Sequence, residues 1–371
     1  MSRNVLADSR RTDVVVVIGD GIVGLSTALE IGRRGARCVV LGANRPGIAS
    51  FAAAGLLAPS ISQLPPSAQS FFDASLSLYP RLLSSLAEFD AGLALVRGLL
   101  VLSDMAGHAP PADAGERIGP QRVKELEPHL AAPQGAALFA DDGAVDNVRL
   151  MRALRLAIDR HENVELVADR PVSSIELGSD RVTVGASSSL RIEARRAILA
   201  AGAWSPQIDG LPRPLPIFPV KGQMLSFGVA VLERPVMGNG VYLVPRGDET
   251  VVGSTSEHAG FDVSTTDETL ERLRAAAVSV CPALGRSAPA SAWAGLRPVT
   301  PDMLPILGPD PDHPALLYAC GHSRNGILLA PATAQAIAGL ALGGQAGFDL
   351  SGFGIARFES SPGSTNLTPH V

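Results

Sequence analysis

A chain of 371 residues, 46% hydrophobic and 18% charged, has the composition of a globular protein with a sizeable core rather than of a disordered one. Its formal net charge of -5, without basic runs, argues against nucleic acid as the main partner. Three cysteines (Cys38, Cys281 and Cys320) are an odd number set far apart, which gives neither a disulfide framework nor a zinc site and fits a reducing cytoplasm.

Residues 1–13 are polar, lack an apolar signal core and read as a frayed extension. Residues 14–18 form a valine-rich run that predicts a buried strand, and Gly19, Gly21 and Gly24 make a G-x-G-x-x-G turn into a helix of about a dozen residues. Cys38 to Leu41 predicts a second buried strand. Glycines so placed permit a sharp turn, close approach of backbone to a pyrophosphate, and tight packing of helix on strand. A dinucleotide unit ordinarily ends its second strand in an acid that accepts hydrogen bonds from a ribose. Here that place is Gly42, with Arg45 three residues on. Glycine there with an arginine nearby also suits NADP, whose 2′-phosphate an acid would repel. Asp20, inside the turn, would repel a pyrophosphate and is expected to point outward.

Apolar spacing over residues 69–100 predicts two helices, 103–133 reads as irregular, and 145–158 predicts an amphipathic helix. Strands are expected at 164–175 and 181–184, and another in 194–205 that ends in a glycine turn. The stretches FPVKGQMLSFG, VYLVPRGDETVVGSTS and SAWAGLRPVTPDMLPILG alternate apolar and polar residues as antiparallel strands do. A strand at 316–319, a glycine turn and a long helix from near Ile327 follow. The apolar stretches 14–31 and 327–342 are interrupted by Asp20 and Glu30, and by Pro331 and Gln335. Neither offers the roughly 20 clean apolar residues of a membrane span. This order implies a parallel-sheet nucleotide domain of separated segments, with an antiparallel domain inserted between them.

No G-x-S-x-G, H-E-x-x-H or metal-spaced cluster of histidines and carboxylates is present. Tyr242, in VYLVP, suits half-buried packing as well as a site role. Arg297, in GLRP, is stiffened by Pro298, Pro301 and Pro305; it reads either as half of a structural ion pair or as a rigid fork for a small carboxylate. In CGHSRNGILLAPAT a glycine turn leads into an apolar helix, whose positive end suits an electron-rich ring that gains negative charge on reduction. An ordinary buried helix with a plain cap would read the same way, and His322 alone suggests only a local hydrogen bond.

Taken together, IGDGIVG (18–24), AAAGLLAP (52–59), PVKGQ (219–223), YLVPR (242–246), VVGSTSEHAGFD (251–262), WAGLRPVTPDMLPILG (293–308), GHSRNGILLAPAT (321–333) and IARF (355–358) resemble the flavin-dependent D-amino acid oxidase superfamily, and within it the glycine oxidases. The pair WAGLRP and GHSRNGILLAPAT is the specific part of that likeness. The resemblance implies an α/β, two-domain, glutathione-reductase-2-like fold. Residues 1–85, 140–210 and 305–371 would form a Rossmann-like FAD-binding domain, and 86–139 and 211–304 an antiparallel substrate domain. It implies non-covalent FAD, with Gly19, Gly21, Ile22, Val23 and Gly24 beneath the pyrophosphate and Val172 at the adenine side. Ala49, Ser50, Ala54, Gly55 and Leu56 would lie along the flavin, and His322, Ser323, Arg324, Asn325, Gly326, Ile327 and Leu328 along its ring system. Arg297 and Tyr242 would hold the substrate carboxylate, with Arg324 and Ala54 beside the substrate.

The implied reaction is oxidative deamination of glycine, sarcosine or a small D-amino acid. A hydride passes to FAD, O2 reoxidises it, and keto acid, ammonia or amine, and H2O2 leave. A cytoplasmic homo-oligomer without membrane contact is expected, and thiamine biosynthesis is suggested by analogy alone. Three departures bear on this: Gly42 for the acid, Gly240 where some glycine oxidases have histidine, and Ser256 for a substrate-side methionine. Cys320, beside Gly321, raises a covalent flavin link, which the resemblance disfavours. With Gly42 the ribose is expected to rely on backbone groups, Asn44, Arg45 or water, so that Gly42→Glu tightens FAD binding if the place is merely vacant. The alternatives are an NADP-dependent oxidoreductase, or a flavin- or amino-acid-binding protein with little turnover.

Overall fold

The computed structural model describes residues 13–62, 64–103, 115–186 and 190–359. Its centre is a six-stranded sheet in the order Ile306–Pro309, Leu316–Cys320, Arg196–Leu199, Val15–Ile18, Cys38–Leu41, Val164–Val167. All neighbours run parallel except the antiparallel edge strand Ile306–Pro309. Burial on both faces explains why VVVI and CVVL are continuous apolar runs. Val15 and Val17 pack with the helices Ile22–Arg33, Pro66–Leu86, Asn147–Arg160 and Gly326–Ala341 on one side. Val14, Val16 and Ile18 pack on the other side with the antiparallel sheet of Val172–Leu177, Val182–Ala186 and Leu190–Ala194.

A nine-stranded sheet stands beside this core. Its order is Pro289–Val299, Phe218–Phe227, Glu249–Gly253, Val241–Arg246, Val236–Gly238, Leu95–Leu102, Ala136–Val145, Leu56–Leu57, with Glu116–Ile118 also paired to Ala136–Val145. Pairing is antiparallel except between Val236–Gly238 and Leu95–Leu102. The helix Asp267–Val280 covers it through Leu273, Ala277 and Val280. The strand Ala136–Val145 straddles the domain boundary expected at residue 140.

The main departure from the expected elements is in 69–100, which forms one helix, Pro66–Leu86, followed by the strand Leu95–Leu102. Asp90 accepts from the Gly92 N–H in the intervening turn, and the β-rich LVRGLLVL then finds partners on two sides, a tertiary gain that helical spacing does not reveal. The expected strand at 164–175 breaks in two around Asp169, at φ 55°, ahead of Pro171. The described part of 103–133 holds a short strand and the helix Pro120–Leu126; residues 104–114 lie outside the described set. Among the described residues no helix is long and apolar enough to cross a membrane.

Candidate active site

The glycine turn leaves Val15–Ile18 with Gly19 at φ 115°, and a Cβ there would lie 2.3 Å from the Ala200 carbonyl oxygen. A Cβ on Gly24 would come within 1.9 Å of the Gly19 carbonyl oxygen, so Gly24 serves the packing of helix on turn and does not line the cleft. Gly21 begins the helix without a side-chain cap, and the first turn carries no acid. The Ile22 N–H donates to Ser50 Oγ at 2.9 Å, and the helix end keeps its affinity for an anion.

From this turn a cleft of about 1230 Å³ runs between the two large sheets, room for an elongated dinucleotide and a small co-substrate. Gly19, Gly21, Ile22 and Val23 line one stretch of it, and Val172 lines it beside Pro171 and Ser173. Ala49, Ser50, Ala54, Gly55 and Leu56 line another stretch. The last helix contributes Gly326 and Ile327, and the turn before it His322, Ser323, Arg324 and Asn325. Leu328 does not reach the cleft: its side chain is buried in the helical core.

That helix carries a proline inside its second turn. Pro331 has no N–H for the Ile327 carbonyl one turn earlier, and the buried Tyr79 hydroxyl donates to that carbonyl instead. Ser75 Oγ donates to the Leu328 carbonyl at 2.8 Å and accepts from the Ala332 N–H at 3.2 Å, bridging the loosened ladder. His322 Nε2 lies 3.1 Å from Thr333 Oγ1, and burial pushes the imidazole down to about 3, so it is neutral. The Ser323 N–H donates to the Pro298 carbonyl at 2.9 Å, tying this turn to the strand that carries Arg297.

Strand alternation builds the other end. Trp293 Nε1 donates to the Ala52 carbonyl at 2.9 Å, a Cβ on Gly295 would lie 2.3 Å from Ala52 Cβ, and Arg297 enters the cleft two residues on. On the neighbouring strand Val220, Gly222 and Met224 face the cleft, whereas Lys221 and Gln223 fasten the following loop. Lys221 Nζ reaches Asp262 at 2.7 Å, and Gln223 reaches Glu257 through Nε2 at 3.0 Å and Thr255 Oγ1 through its N–H at 2.8 Å. The loop so held presents oxygens to Arg297: Nη1 donates to the Thr255 carbonyl at 3.0 Å and Nη2 to Ser254 Oγ at 2.6 Å. A Cβ on Gly222 would sit 2.4 Å from Arg297 Nη2, and one on Gly253 would sit 2.6 Å from the Tyr242 hydroxyl. Tyr242 points its hydroxyl toward Met224 Sδ, 3.9 Å away, and lines the cleft.

Arg324 is solvent-exposed in the cleft and makes no hydrogen bond or ion pair with a described residue. Crowding of its head group, and then the charge of Arg297, lower its pKa from the ordinary arginine value. Two guanidiniums thus share a cleft in which no described carboxylate pairs with either. Of the acids that line it, Asp20 is paired with Arg155 and Asp302 with Arg357. Gly240 and Ser256 also line the cleft, and a Cβ on Gly240 would meet nothing within 4 Å.

Asp20 overturns an expectation. It does not point outward: it is 5% exposed, and Arg155 Nη2 donates to its Oδ2 at 2.7 Å. A Cβ built on Gly42 would lie 2.6 Å from Asp20 Cγ and 2.7 Å from Oδ2, so the place of the missing acid is taken and the premise of a vacant site fails. Asn44 is exposed and away from the cleft, and the Arg45 guanidinium lies 5.5 Å over the Trp204 ring.

A family model for FAD dependent oxidoreductases matches residues 14–340. The chain belongs to this family. It is 35% identical to a glycine oxidase of Pseudomonas aeruginosa over 346 residues, covering 89% of this chain and 94% of that protein. The glycine oxidase of Geobacillus kaustophilus superposes with a TM-score of 0.85 at 27% identity, over 93% of this chain and 99% of that one. Iminodiacetate oxidase from Chelativorans sp. BNC1 superposes at 0.82, also 27% identical, over 92% and 98%. The side-chain-free cradle of Gly19 and Gly21 and the length of the cleft fit the family's FAD. The NADP alternative raised by Gly42 is set aside by the family and by the carboxylate of Asp20, which would repel a 2′-phosphate.

Sequence reasoning missed Asp20 as a site group, and it missed Gly222, Gly253, Ser254 and Thr255, which shape the places of Arg297 and Tyr242. Glycines inside otherwise strong strands were the available signal, since they mark a close approach.

Proposed function

We propose that this oxidoreductase deaminates a small amino acid oxidatively, passing the α-hydride to FAD and releasing imine, then keto acid and ammonia or amine, with O2 as the final acceptor. One observation carries the reading: among the described residues Arg297 and Arg324 face one cleft with only neutral partners or none, a pair of charges that calls for a carboxylate ligand. Arg297, braced by Ser254 and Thr255, offers a fixed fork, and the Tyr242 hydroxyl stands on the same wall. Gly19, Gly21, Ile22 and Val23 would hold the pyrophosphate, and the turn His322–Ile327 the flavin end. FAD, when bound, supplies a two-electron acceptor.

Among the described residues the substrate end holds no unpaired carboxylate, and His322, lowered by burial to about 3 and bonded to Thr333, is too weak a base to take a proton from carbon, so positioning rather than proton abstraction is what the chain contributes. Well-oriented reactants recover about 7–11 kcal/mol of barrier. Binding without a covalent link is the reading that Cys320 supports, because burial pushes its thiol up to about 12 and keeps the nucleophilic thiolate out of reach at neutral pH.

Purified protein should be yellow. Anaerobic mixing with glycine, sarcosine, small D-amino acids and iminodiacetate, followed at the flavin absorbance band, should bleach with at least one of them and release H2O2 once air is admitted. A flavin that none of them reduces would refute the proposal and favour a binding protein.

A further inference from the structure

We infer that Asp20, held by Arg155, is the carboxylate that receives the adenosine ribose of FAD, so that the acid usually carried at the end of the second strand has moved into the glycine turn. The inference rests on the family's use of FAD and on four facts of geometry. Asp20 lines the cleft while only 5% exposed. Its carboxylate occupies the space into which a side chain at position 42 would grow, 2.6 Å from that Cβ. Of the neighbouring lining residues, Leu41, Ala43 and Val172 offer no side-chain acceptor and Ser173 offers a hydroxyl but no carboxylate, while Asn44 lies away from the cleft. Arg155 binds one oxygen, Oδ2, and Asp20 makes no further hydrogen bond among the described residues, which leaves Oδ1 to accept from a ligand hydroxyl.

Arg155 explains why an acid is tolerated beside a pyrophosphate. It reaches Asp20 from the helix Asn147–Arg160, with its guanidinium 5.3 Å over the Phe51 ring. Its buried Nε has no partner among the described residues, and its one ion pair there is with Asp20. The pair is close to neutral as seen from the phosphates, yet Oδ1 remains an acceptor. Gly42 is then a requirement, because any side chain there collides with the relocated acid.

The test is FAD affinity, read from quenching of flavin fluorescence during titration of stripped apoprotein, with the apoprotein melting temperature recorded for each variant. Asp20→Asn should weaken FAD at least tenfold, and Gly42→Glu alone should weaken it too, since two carboxylates would compete for one space. The double variant Asp20→Gly/Gly42→Glu, which returns the acid to the strand end, should recover affinity to within about threefold of the parent. The inference is overturned if Asp20→Asn binds FAD within twofold of the parent, if Gly42→Glu alone tightens binding, or if the double variant melts like the parent yet binds no better than Asp20→Asn. A parent protein that binds no FAD would remove the cofactor reading itself, and this inference with it.

Discussion

Arg297 lies where it does because residue 222, on the neighbouring strand, has no side chain. Two experiments probe that point. Arg297→Ala removes the partner of a partly desolvated carboxylate, a loss of ~3–5 kcal/mol, and at 1.36 kcal/mol per decade kcat/KM should fall about a hundred- to several-thousandfold. A fall under fivefold would mean that another group holds the carboxylate. Gly222→Ala should leave the flavin bound and the fold intact, yet lower kcat/KM at least about tenfold by displacing the guanidinium; steady-state kinetics beside a flavin spectrum checks both halves. At this scale the sequence exposed the charged and aromatic members of the site, Arg297, Tyr242 and Arg324, because their residue types are chemically loud. The glycines that make room for them, and the acid that fills the gap at Gly42, depend on distances between strands far apart in sequence, which no local pattern encodes.

The last helix carries a price in its own ladder, and its neighbour meets it. Tyr79→Phe would leave the Ile327 carbonyl buried without a donor, which costs ~1–3 kcal/mol. Thermal unfolding should register that loss. In a Pro331→Ala background the same change should cost less, because residue 331 would regain an N–H for Ile327; equal losses in both backgrounds would separate tyrosine from proline. Val15–Ile18 and the last helix were legible as continuous apolar runs, because burial on every side asks for apolar residues throughout, and Asn147–Arg160 because burial of one stripe imposes a helical period. Residues 87–100 were not. Their second half joins a sheet whose partners come from residues 136–145 and 236–238, and that pairing overrides the apparent helical spacing.

Two sheets and a cleft between them make stability depend on what the cleft holds and on what each sheet buries. FAD in thousandfold excess over its Kd should add about 4.1 kcal/mol, so stripped protein should melt lower, recover with FAD and ignore NADP+. Recovery with NADP+ instead would overturn the cofactor assignment. Two buried groups pull the pH profile in opposite directions. His322, lowered by burial to about 3, contributes stability that is present above its unfolded value of 6.5 and is lost as pH falls toward 3. Asp142, bonded by Ser60 Oγ at 2.8 Å with Oδ2 lacking a partner among the described residues, is raised by burial to about 7; its contribution is present below 3.8 and gone above 7. Asp142→Asn should therefore be more stable than the parent at pH 8 and no more stable at pH 4, by about 1.4 kcal/mol for each pH unit of the window between. Chemical denaturation at the two pH values decides it. The order of segments announced a parallel core with an antiparallel insertion, but how the strands of the larger sheet are arranged depends on long-range pairing alone. One thing this packing does concerns survival in use: an oxidase that makes peroxide inside its own cleft does so next to Cys320. Kept as a proton-bearing thiol by its burial, that sulfur should be a poor target for the oxidant.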